Sequence, residues 1–254
     1  MLVYFYDKTF EGLLTVVFIS YKYKKFPDRL MQEGDIAPLF TERTFTIITS
    51  TEKAGRVWKA LEKKISKRAC RMLMHAWLSE IEGSDEIIFR YIHKAIDSST
   101  RMETNFGDKD VLEIAQIAKK VTRERHHLEQ FVRFQKASDS IFFAPISPAH
   151  NALPLVINHF KDRFADQQWV IYDIKRKYGF YYDLKSVQEI TFSEDPQWIN
   201  GKLEDHQIAE DEKRFQKLWK GYFQALTIKE RINLKLQRQQ MPKRFWKYLT
   251  EKQY

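Results

Sequence analysis

The residues with the most chemistry to offer lie in the run Ser147-Pro-Ala-His-Asn151, just ahead of Leu153, Ile157, Phe160 and Phe164. Those apolar positions recur at helical spacing. Asn151 is therefore placed to cap a helix of about 151–165, with Pro154 in the first turn, where its missing N–H does no harm. His150 would then stand beside the N–H groups of a helix start, which suit a phosphate. His150, Asn151 and His126 are the candidates for catalytic work. His126, His150 and His159 could in principle converge as an acid–base or metal set. They contain no local pair of the form His-x-x-x-His, so no metal site and no cofactor is expected. The plainer alternative is that His150 and Asn151 only fix a strand-to-helix turn.

A second chemistry comes from cations beside aromatic rings. In Phe131-Val-Arg-Phe-Gln135, read as a strand, alternation turns Val132 and Phe134 to the core and leaves Arg133 on the more exposed side. Arg163 lies on the helix face away from Phe160 and Phe164, and Lys175 and Arg176 occupy the turn before Tyr178. Arg231, Lys235 and Arg238, at spacings of four and three, are expected on one helix face. Lys243, Arg244 and Lys247 gather around a helix start, anchored by Phe245, Trp246 and Tyr248. Phosphates on cations with bases stacked on rings is how single-stranded nucleic acid is held, so these ten cations are the expected contacts. Against this, aromatic strands more often build a core, and a basic helix face is often simply solvated.

The elements that must position these groups read as follows. Five short runs rich in β-branched and aromatic residues span 131–192: 131–135, 141–146, 169–172, 178–182 and 187–192. Their short breaks suit hairpins, giving a central antiparallel sheet with one helix between its second and third strands. Before it, a helical half carries two short strands, 2–6 and 44–48. Pro27 to Pro38 reads as a loop, helices break near Ser66, Ser84 caps another, and a long helix covers about 109–129. After it come a loop from Ser193 to Asp205 and basic helices at about 207–226, 228–239 and 243 onward. The class is α+β. The chain divides into 1–130 and 131–254, with no low-complexity linker between them, as one compact unit.

Charge sharpens the picture. The net charge is +9, yet residues 213–254 hold twelve Lys/Arg against Glu230 and Glu251, so the whole excess is C-terminal. A polyanion is the natural partner of such a tail, DNA or RNA; an acidic partner protein is the alternative. With Cys70 alone, no intrachain disulfide can form, and a reducing, cytoplasmic setting fits. No apolar run reaches the roughly 18 residues that span a bilayer, and the start lacks the features of a signal peptide, so no membrane partner is expected.

Several stretches resemble a bacterial family of proteins assigned to DNA metabolism, whose genes are associated with a radical-SAM protein. A related segment opens some uracil-DNA-binding proteins of the UdgX type. The resembling residues include Tyr6-Asp-Lys-Thr-Phe-Glu-Gly-Leu-Leu-Thr15, Arg123-Glu-Arg-His-His-Leu-Glu-Gln-Phe-Val-Arg-Phe134, Ser147-Pro-Ala-His-Asn151 and His159-Phe160. Arg163-Phe164, Trp169-Val-Ile-Tyr-Asp173, Leu218-Trp-Lys-Gly-Tyr222 and Met241-Pro-Lys-Arg-Phe-Trp246 complete the set. The resemblance implies a DNA-directed accessory role beside a radical-SAM partner. Lone Cys70 cannot hold a three-cysteine cluster, so radical chemistry would be the partner's. No glycosylase-like domain follows Tyr254, so uracil chemistry is not expected. Two other functions stay open: an enzyme using a His150/Asn151 pocket on a nucleic acid or phosphorylated substrate, and an adaptor docking through its basic tail.

Overall fold

The computed structural model describes residues 1–192 and 208–253, which fall into two compact units, Met1–Thr122 and Arg123–Tyr254. The expected loop Ser193–Asp205 lies outside the described residues. The fold is mixed α/β, with two separate sheets and no closed barrel among the described residues.

In the first unit, β1 (Leu2–Tyr6) is the middle strand of three. The strands β2 (Arg29–Gln32) and β3 (Arg43–Thr46) flank it, both parallel to it. β2 sits inside the segment read as a loop. Only Leu30 of its four residues is buried, so no alternation marks it, and its pairing with β1 is what makes it a strand. Helix α1 (Phe10–Tyr23) starts at Thr9, whose hydroxyl accepts the Gly12 N–H at 2.9 Å. α2 (Thr51–Lys64) and α3 (Lys67–Leu78) are broken where Ile65 turns extended and Ser66 caps the second helix, as the sequence suggests. α4 (Ser84–Asp97) is capped by Gly83 at φ 76°, with Ser84 its first helical residue instead of its cap. Its face of Ile88, Tyr91, Ile92 and Ala95 is buried. α5 (Lys109–Phe131) belongs to this unit as far as Thr122.

The second unit is built on a five-stranded sheet. Its strands, in spatial order, are β4 (Gln135–Lys136), β5 (Phe142–Ile146), β6 (Trp169–Asp173), β7 (Tyr178–Tyr182) and β8 (Val187–Ile190). The sheet is mixed, a correction to the antiparallel expectation. β5 and β6 pair in parallel, from Phe142 opposite Trp169 to Ile146 opposite Asp173. The cause is the intervening 3₁₀ turn Leu153–Leu155 and helix α6 (Ile157–Arg163), which carry the chain back so that β6 starts where β5 started. Residues 131–134 are not strand either. α5 runs on to Phe131 because Leu128 and Phe131 lie one turn apart on its buried face, and only Gln135 and Lys136 pair with β5.

Side chains alternate across this sheet. Trp169 and Ile171 join Phe131, Ala144, Leu153 and Phe160 in the larger core, while Val170 and Tyr172 join Phe143 on the other face. The aromatic strands are thus mostly core; Tyr182 is buried, and Phe180 and Tyr181 are half-buried. Gly179 is fixed by a close approach. A Cβ there would strike the Ile171 carbonyl oxygen and come within 2.8 Å of the Tyr172 ring.

Helices α7 (Glu210–Leu226), α8 (Leu234–Gln240) and α9 (Lys243–Trp246) follow. The 3₁₀ turn Lys229–Arg231 is separated from α8 by Asn233, whose side chain caps it. Arg231 therefore does not share a helix with Lys235 and Arg238, a correction to the single-face reading. Phe245, Tyr248 and Leu249 of the tail are buried in this unit.

Candidate functional site

Because β5 and β6 are parallel, their carboxyl ends emerge at one edge of the sheet, the usual place for a site in such a pair. The loop Ser147–Asn151 leaves one end and the turn after Asp173 leaves the other. Asp173 is 0 % exposed and accepts from the backbone N–H groups of Lys175 and Arg176 and from Arg176 Nη1 at 2.7 Å. Burial pushes its carboxyl above the usual carboxylate range against the pull of Arg176. Arg176 reaches on to the Pro148 and Ala149 carbonyls at 3.2 and 3.4 Å. The Tyr178 hydroxyl donates to Asn151 Oδ1, and the Tyr248 hydroxyl to Ser147 Oγ at 2.7 Å.

Asn151 therefore does not cap the following helix. The 3₁₀ turn starts at Ala152 without a side-chain cap, because Asn151 is engaged by Tyr178. His150, half-buried beside it, is not brought to a helix N-terminus. The loop is a self-satisfied turn. Its clamp is Arg176, placed by Asp173.

The same loop is held from below by Glu124 of α5, which is 2 % exposed and accepts the Ala149 N–H at 2.7 Å. Its other oxygen takes the Arg244 guanidinium and lies 3.6 Å from His127 Nδ1. Arg244 thus faces an internal carboxylate. Burial holds the His127 imidazole below its usual value; Glu124 opposes this, and Arg244 and Arg123 add to it. The folded chain keeps His127 neutral where the unfolded chain would take up a proton. Stability from this site is therefore present above about pH 6.5 and lost as the pH falls through the lowered value. The full chain is expected to melt at a lower temperature at pH 5.5 than at pH 7.5. His127→Phe, which keeps the ring contacts with Phe131 and Phe245, should shrink that difference. An unchanged difference in thermal unfolding scans would refute the assignment.

The second unit carries a cleft of about 820 Å³. Phe134, Phe160 and Phe164 form one wall, and Phe215, Trp219 and Tyr222 of α7 the other. Arg133 and Arg163 line it. Arg133 does not project from a strand: its Nη1 donates to the Gln130 and Val132 carbonyls, closing the end of α5. Its Nη2 meets Glu251 at 3.1 Å, and Glu251 also accepts from Trp219 Nε1 at 3.0 Å. Burial would raise the Glu251 carboxyl, but its own backbone N–H, Trp219 and Arg133 outweigh that and hold it below the usual range. Arg163 is different. Exposed, with its guanidinium 5.7 Å from the Phe164 ring centre, it meets no carboxylate among the described residues.

The other predicted cations divide. Lys175, Arg231, Lys235, Arg238 and Lys243 are exposed, without an ion pair among the described residues; Lys247 is also exposed, 4.7 Å from the centre of the Tyr248 ring. His126 sits against Glu129 at 3.2 Å, and His159 acts on the same carboxylate electrostatically. Among the described residues no three His, Cys, Asp or Glu side chains gather to hold a metal ion. No helix among them is long and apolar enough to cross a membrane.

A family described as a domain of unknown function, DUF4130, matches residues 82–251, about two thirds of the chain. The chain belongs to that family. No curated protein matches it. Among solved structures it is similar to a pGpG-specific phosphodiesterase, PggH, from Vibrio cholerae, over 89 % of this chain and 99 % of that one. At 12 % identity and a TM-score of 0.32, that likeness carries no argument.

The DUF4130 region contains the loop, the cleft and most of the tail. Its key residues beyond the predicted ones are Glu124, Asp173, Tyr178, Trp219 and Glu251. A signal existed for Glu124: with Val121, Leu128 and Phe131 it falls at spacings of three and four on the buried stripe of α5, a carboxylate in a core position. Asp173 likewise ends an otherwise apolar run.

Proposed function

We propose that this protein is a cytoplasmic accessory factor that binds single-stranded nucleic acid, DNA by the family resemblance, in the cleft between α6 and α7. What supports this reading is the pairing of rings on both walls with Arg163, which has no carboxylate partner among the described residues. Bases stacked on Trp219, Tyr222 and Phe164 would each contribute roughly 1–3 kcal/mol, whatever their identity. Exposed Arg231, Lys235, Arg238 and Lys243 would neutralise phosphates nearby, an affinity that falls steeply with salt. Arg133, Arg176 and Arg244 belong to the scaffold in this reading. A radical-SAM protein remains the proposed partner, and co-purification with and without nuclease tests that.

The direct test is fluorescence anisotropy with labelled single- and double-stranded DNA across a salt series. Single strands should bind more tightly, with a steep salt slope. Tyr222→Ala and Arg163→Ala, both at exposed positions, should each weaken binding roughly tenfold, about 1.4 kcal/mol, at unchanged melting temperature. Undetectable or salt-insensitive binding, or variants that bind as well as the parent, would remove the reading.

A further inference from the structure

A second cavity, of about 580 Å³, opens on the same unit. Arg123, His126, His127 and Gln130 line it from successive turns of α5, and Gln239 and Gln240 from the end of α8. All six side chains end in N–H groups, and neither a carboxylate nor an apolar wall is among them. The two carboxylates closest in the chain are already matched. Glu124 takes Arg244 and the Ala149 N–H, and Glu129 takes Arg125 at 2.8 Å and one nitrogen of His126 at 3.2 Å, which leaves the other nitrogen of that ring to the cavity. Arg123 is the surplus cation, exposed and without an ion pair among the described residues. A cavity rich in N–H donors, with the charge of Arg123 and no carboxylate in its lining, suits an anionic ligand rich in acceptors.

Its position narrows the ligand. Gln130 lines both this cavity and the aromatic cleft, so the two are adjoining compartments. A phosphodiester inside a strand carries one charge and two bonds to carbon, and passes along a surface. A phosphate monoester ends a strand, carries a second charge near neutrality, and presents three acceptor oxygens to a cluster of donors. We propose that the Arg123–His126–His127 cavity binds the terminal phosphate of a single strand whose bases lie in the adjoining cleft. The proposal rests on the strand-binding reading for its ligand, and it makes the protein a reader of strand ends instead of strand interiors.

The experiment uses the full chain and internally labelled single strands carrying a 5′-phosphate, a 3′-phosphate, or hydroxyls at both ends. One phosphorylated end should bind about tenfold more tightly than the hydroxyl strand. Arg123→Ala combined with His126→Ala should bring that strand to the hydroxyl level without altering affinity for the hydroxyl strand. Trp219→Ala should weaken all three. Millimolar inorganic phosphate should erase the preference selectively. If the three strands bind alike and still depend on Trp219, end recognition is overturned and strand binding stands. If inorganic phosphate binds while strand ends make no difference, the cavity serves a small phosphorylated molecule and the proposal fails. If no strand binds, both readings fall.

Discussion

Asp173→Ala is expected to destabilise the Arg123–Tyr254 unit by about 3–5 kcal/mol, enough to remove much of the stability of a domain this size. The reason is what the carboxylate leaves behind. Arg176, with a side chain only 10 % exposed, would lose the fully buried carboxylate that faces it. The N–H groups of Lys175 and Arg176 would lose their acceptor, and the Pro148 and Ala149 carbonyls their positioned donor. Asp173→Asn keeps an acceptor for the turn but not the charge, so its cost should be intermediate. Urea midpoints for the three proteins decide the matter. An alanine variant within about 1 kcal/mol of the parent would show that the clamp does not hold the loop. The same logic predicts that losing Arg176 costs stability before it costs any nucleic-acid affinity.

Arg244→Ala should cost a similar amount, about 3–5 kcal/mol, from the other side of the loop. It leaves the Glu124 carboxylate in the core with the Ala149 N–H and the His127 imidazole, whose protonation Arg244 no longer opposes and which can recover part of the loss. Glu124→Gln removes the charge and keeps an acceptor for Ala149. In that background the arginine has little left to neutralise, so Arg244→Ala should cost clearly less. The double-mutant cycle is expected to return a coupling of about 1–3 kcal/mol. Strict additivity in chemical denaturation would mean that the pair contributes nothing beyond its separate contacts. A third outcome, loss of DNA binding at full stability, would return Arg244 to the phosphate contacts that its place in a basic tail suggested.

These two pairs show what could be read in the sequence and what could not. Periodicity placed most elements well: the helices break at Ser66, and β5, β6 and β7 lie where aromatic and β-branched runs predict. Strand direction was less visible. A helix between two strands should have argued for a parallel pair, whereas short breaks elsewhere suggested hairpins throughout. Phe131 to Gln135 misled because alternation over five residues also fits the end of a helix whose buried stripe includes Leu128 and Phe131. Side-chain partners were the least legible. Arg244 and Glu124 are 120 residues apart, and Arg133 and Glu251 are 118 apart. No local pattern marks such pairs, so composition could show that the tail is basic without showing that Arg244 turns inward.

One property of α7 bears on how the cleft can work. None of its residues is buried, and Phe215, Leu218, Trp219 and Tyr222 are all exposed. Its ties to the rest of the unit include Lys136 with Asp211 at 2.8 Å, Trp219 with buried Glu251, and Lys252 over the Phe223 ring. The facing wall belongs to the packed core around Phe160 and Trp169. One jaw is therefore packed core and the other an exposed helix: drawing α7 away breaks ties of this kind and leaves the pairings of β5 to β8 intact. A slot of that kind can grip a purine or a narrower pyrimidine without choosing between them.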